Sequence, residues 1–85
     1  MPFSLPLPSA LTAWKVRIFD NELLETPHAS VVKGAQKWRI NLRTGAFMDS
    51  RPSPRGVDNR VLEAIEAGLP ALREAWNRMF PHNPV

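Results

Sequence analysis

The sequence predicts an α+β domain: a three- or four-stranded antiparallel β-meander packed against a C-terminal helical segment. Two observations point to the sheet and one to the helix. Trp14, Val16 and Ile18, and again Trp38, Ile40 and Leu42, alternate with Lys15, Arg17, Lys37, Arg39 and Arg43, and strand side chains alternate between faces with period two. Glycines at 34 and 45 punctuate these segments where tight turns belong. From Val61 through Leu62, Ile65, Leu69, Leu72 and Trp76 to Met79, apolar residues recur at three- and four-residue steps, the mark of one amphipathic helical seam.

Residues 1–12 read as an extended proline-rich arm. Pro2, Pro6 and Pro8 exclude regular helix, and Phe3, Leu5, Leu7 and Leu11 give the arm apolar side chains to lay on the domain. A first strand is expected from Ala13 to Phe19. Asp20 and Asn21 then favour a turn, followed by an acidic connection from Glu22 to Pro27. A second strand, His28 to Lys33, turns at Gly34-Ala35 into a third, Gln36 to Leu42. Arg43-Thr44-Gly45 is a further turn into a short strand at Ala46 to Met48. Asp49 to Gly56, with Pro52 and Pro54, is a loop.

Asp58 is the expected N-cap of the helix, with Val57 and Leu62 as its hydrophobic staple. Gly68 and Pro70 carry the punctuation of a helix end and a new start, so the segment is expected to kink or split there. Residues 13–80 form the single α+β domain and 81–85 a short tail.

The chain has 85 residues and no cysteine, which excludes a disulfide framework and thiolate metal sites. Absent cysteine suits a reducing cytoplasm, and no apolar run is long enough to span a bilayer. The chain is therefore expected to be cytoplasmic, with no membrane partner. The formal net charge is +3. Most of the bases lie in the strands and the following loop, while Glu63, Glu66 and Glu74 outnumber Arg73 and Arg78 beyond Val61.

Alternation places Lys15, Arg17, Lys37, Arg39 and Arg43 on one sheet face, with Arg51 and Arg55 in the loop that follows. Such cations neutralise phosphates with little demand on geometry, although a charged face is also what an antiparallel sheet shows to water. Phe19 is the sole aromatic interleaved with them. Trp14, Trp38 and Trp76 fall on sides their elements bury, and Trp76 is expected to close the seam against Trp14 or Trp38. His28 is the weak catalytic candidate: with Glu22 or Glu25 beside it and Arg39 or Arg43 holding a phosphate, it would suit RNA cleavage. His82 and the scattered carboxylates have no metal-ligand spacing, and no cofactor motif is present.

The order of strand, Thr26-Pro27-His28-Ala29-Ser30-Val31, hairpin, Leu42-Arg43-Thr44-Gly45, proline-containing loop, and a helix with Leu72 and Trp76 resembles the bacterial domain-of-unknown-function family 4160 over residues 14–80. Where that pattern carries a second histidine, this chain has Ser30. The resemblance implies a compact α+β domain, often encoded beside small partners in toxin-antitoxin-like loci. The functional expectation is a small regulatory binding module that meets an acidic protein or nucleic acid through its basic face. The alternatives are a ribonuclease-type toxin and an oligomerising structural protein whose apolar arm covers a neighbouring copy.

Overall fold

The structure, a computed structural model, describes residues 3–19 and 25–85. Four antiparallel strands, β1 (Phe3–Ser4), β2 (Trp14–Ile18), β3 (His28–Lys33) and β4 (Gln36–Asn41), form one sheet in chain order, and a single helix, α1 (Asn59–Met79), completes the α+β fold. Of the turn expected at Asp20-Asn21 and the acidic connection expected from Glu22 to Pro27, residues 20–24 lie outside the described residues.

The β3–β4 hairpin closes on the two residues the sequence marks. Lys33 pairs with Gln36, and Gly34 takes φ 57° while Ala35 stays negative. A positive φ at the first central position alone is the type II′ pattern, whose twist matches the strands. Gly45, at φ 78°, ends the next turn, and its N–H donates to Asn41 O at 2.7 Å.

The expected strand at Ala46–Met48 is reduced to one bridge, Ile40 with Phe47, flanked by bonds from Asn41 N to Ala46 O and from Met48 N to Arg39 O. The fourth strand comes instead from the arm. Phe3 pairs with Ile18 and Ser4 with Arg17, and Leu5 N reaches Val16 O at 2.9 Å. Prolines cannot donate to a ladder and so suit an edge. Two residues of pairing before Pro6 are what such an arm can give.

One sheet face forms the core. Val16, Ile18, Val31, Trp38 and Ile40 are all 0–2% exposed, as are Val61, Leu72 and Trp76 of the helix that covers them. Asp58 caps α1 as expected, its Oδ1 accepting from Arg60 N at 2.8 Å, and Val57 is buried. Aromatic packing has two centres at opposite ends of β3. Trp14 and Trp38 lie 5.7 Å apart at one, and Trp76 meets Phe80 at 4.3 Å and His28 at 5.8 Å at the other. Trp76 thus closes the seam against Phe80 and His28 rather than against another tryptophan.

The expected kink or split at Gly68–Pro70 is absent: α1 runs through both. Gly68 takes no left-handed conformation. Its missing side chain makes room for the arm, since a Cβ there would stand 2.6 Å from Leu5 Cδ1. Pro70 is exposed, and so is Glu66, whose carbonyl loses the proline's donor. That carbonyl can turn to water, which lowers the cost of an interior proline.

Candidate anion-binding face

The opposite face of the sheet carries the cations. Register sets them in two transverse rows: Ser4, Arg17, Ser30 and Arg39 in one, and Lys15, Val32 and Lys37 in the next. At the usual strand spacing, Lys15 and Lys37 originate roughly 10 Å apart. Lys37 Nζ lies 5.2 Å from the Phe19 ring centroid. Phe19 follows Lys15 and Arg17 at the same two-residue spacing, one residue past the end of β2. Cation and ring then share one surface.

The seven predicted basic residues do not act as one patch. Lys15, Arg17 and Lys37 share the outer face and make no ion pair with a described carboxylate. Arg39 is on that face but committed: Nε and Nη2 donate to Asp49 Oδ2 and Oδ1 at 2.9 and 2.7 Å, with Glu25 at 3.9 Å. The Arg39 hydrogen bonds hold the Asp49 carboxyl below its ordinary range, against the opposing pull of burial, with the charges of Arg39 and His28 adding to the lowering.

Arg43 leaves the face altogether, because β4 ends at Asn41. Its guanidinium donates to Pro84 O at 3.0 Å, tying the turn to the C-terminal tail. Arg51 and Arg55 are exposed in a loop anchored on the core side, where Trp38 Nε1 donates to Ser53 O at 3.0 Å.

His28 is 1% exposed, its Nδ1 lies 2.8 Å from Thr26 O, and its ring packs near Trp76. This is the setting of a histidine built into the fold. Its expected partner Glu22 lies outside the described residues, and the Glu25 carboxylate lies 3.9 Å from Arg39. Among the described residues no group of three histidines or carboxylates could hold a metal ion, and no helix is long and apolar enough to cross a membrane.

One participant escaped the sequence reading. Ser30 is fully buried on the outer face, between Arg17 and Arg39, and among the described residues its Oγ has no hydrogen-bond partner; nor has the buried Nε of Arg17. Alternation alone would have placed Ser30 on this face. Only the strand register shows that it stands between two arginines.

Family models, curated proteins and solved structures return no match to this chain.

Proposed function

We propose that this chain is a non-enzymatic binding module whose outer sheet face takes the phosphate backbone of single-stranded nucleic acid. The observation that carries the reading is the grouping of Lys15, Arg17 and Lys37 on one face without a described carboxylate partner, while the neighbouring Arg39 is neutralised by Asp49. The Phe19 ring beside Lys37 favours single strands, since an aromatic next to cations can stack an unpaired base whatever its sequence. The resemblance to family 4160 supports a place in a small bacterial regulatory or toxin-antitoxin-like system. It rests on the motifs quoted above.

The burial of His28 and its contacts with Thr26 and Trp76 favour binding over ribonuclease chemistry. The arm lays Leu5 against its own Gly68, so that part of its apolar surface already serves this fold rather than a second copy.

Fluorescence anisotropy with labelled single-stranded RNA and DNA and with duplexes, at low and physiological salt, tests the proposal. Affinity should favour single strands and fall with salt, each neutralised phosphate adding about 0.7 to the log–log slope. Lys15→Glu with Lys37→Glu should abolish binding and leave the fold intact. Failure to bind at low salt, or binding indifferent to the double reversal, overturns the reading. Equal affinity for polyglutamate would reassign the face to an acidic protein.

A further inference from the structure

Within the outer face, two buried polar atoms are stranded side by side. Arg17 and Ser30 are direct cross-strand partners, and among the described residues neither Arg17 Nε nor Ser30 Oγ has a hydrogen-bond partner. Side chains so paired have Cβ atoms about 5 Å apart. A buried hydroxyl left without a partner opposes folding, and alanine would pack there at no such cost. A guanidinium Nε buried beside it doubles the anomaly. The core face shows no such neglect: both of its fully buried indole N–H groups find a carbonyl, Trp38 at Ser53 and Trp76 at Asn83.

We infer that Arg17 and Ser30 form the seat for one phosphate-type oxyanion. This deepens the reading of the face as phosphate-binding and rests on it. The chemistry fits: Arg17 offers Nε and a terminal nitrogen as a planar fork, Ser30 offers a hydroxyl donor, and Lys37 stands in the adjacent row to share the charge. Arg17 is only partly buried, so its side chain can turn outward to admit the ligand and close over it. Arg39, on the far side of Ser30, is already held by Asp49 and adds field rather than a contact. The same oxyanion could be a nucleic-acid backbone phosphate or free inorganic phosphate.

Thermal melts and amide NMR titrations with inorganic phosphate, against chloride at matched ionic strength, separate the two sources when run beside the labelled single-stranded RNA. In the wild type, phosphate should raise Tm saturably and shift the Arg17 and Ser30 amides, and chloride should not. Ser30→Ala should raise the ligand-free Tm yet weaken phosphate binding by about tenfold or more, the loss of one charge-assisted hydrogen bond. Arg17→Lys keeps the charge, removes the fork and should weaken phosphate likewise.

A phosphate response that matches chloride, or one unchanged in both variants, overturns the seat. If RNA binding that depends on Lys15 and Lys37 survives that result, the face keeps its proposed role and only the seat is lost. If phosphate binds through Ser30 but RNA does not bind, the seat stands and the nucleic-acid reading fails.

Discussion

The two faces of one sheet bury polar atoms to the same depth and treat them differently. On the helix-covered side, Trp38 and Trp76 are fully buried and each indole N–H is satisfied, at 3.0 and 2.6 Å. On the other side Ser30 is as deeply buried and its hydroxyl has no partner among the described residues. Burial alone therefore does not separate stability from function here. The distinction lies in whether the buried polar groups are paired, because an unpaired one weakens the fold while a paired one supports it.

The largest test of this contrast lies on the core face. Trp76→Ala removes the fully buried ring that joins Phe80 and His28, together with its hydrogen bond to Asn83 O, and should cost about 3–5 kcal/mol. That is comparable to the whole stability of a domain this small, so a circular-dichroism melt should show little cooperative unfolding. A transition within a few degrees of wild type would remove Trp76 from the core.

Gly68→Ala comes next. Alanine is favoured over glycine inside a helix by about 1 kcal/mol, but its Cβ would meet the methyl ends of the half-buried Leu5 side chain, which must shift to make room. Any gain in urea midpoint should therefore be smaller than in a Leu5→Ala background, where the full helix preference is expressed. Equal effects in both backgrounds would show that the arm is not seated on the helix as described.

On the outer face the sign should be the reverse of that at Trp76. Ser30→Ala should stabilise the ligand-free protein by up to about 1 kcal/mol, since it removes a stranded hydroxyl rather than a satisfied one. A destabilised variant would mean that Ser30 is paired in solution, and the contrast between the faces would disappear.

The smallest effect is electrostatic and lies away from both faces. Hydrogen bonds from Arg60 hold the Asp58 carboxyl at about 2, below its ordinary 3.8. A carboxyl depressed in the folded state stabilises above its unfolded pKa, and that support is lost as pH falls from about 4 to about 2. Asp58→Asn keeps a capping side chain without the charge. The gap in Tm between the two proteins should therefore narrow over that window, and because the site is exposed it should shrink with added salt. A gap that does not change with pH would place the cap's contribution in geometry alone.

The legible parts of the fold were those set by near neighbours in sequence. β3 begins and ends where alternation put it, β2 and β4 differ by a residue at their ends, and the turn glycines and the Asp58 cap occupy their expected places. The illegible parts depended on distant residues. Gly68 and Pro70 carry genuine helix-end signals, yet Leu5, 63 positions earlier in the chain, occupies the space at Gly68 and the helix continues. The prolines of the arm hid a two-residue strand that only the edge of β2 could accept. For the candidate site, alternation identified Lys15, Arg17, Lys37 and Arg39 as one face. It could not reveal that Asp49 claims Arg39, that β4 stops before Arg43, or that Ser30 faces Arg17, because ion pairs and register are properties of the folded sheet.

The seat of Leu5 on Gly68 also sets an order in time. The β3–β4 hairpin can close as soon as it is made, since its two strands are separated by only two residues. The arm precedes both in the chain, yet the glycine that receives it lies far along the helix, so its docking closes one of the longest loops in the molecule, and such contacts are slow to form. Leu5 is among the first of these residues to be synthesised and among the last to find its place. Under strain the sequence runs backwards: the arm should peel from the edge of β2 while the hairpin and helix still hold. The amide of Leu5 should then exchange with solvent well before that of Val31.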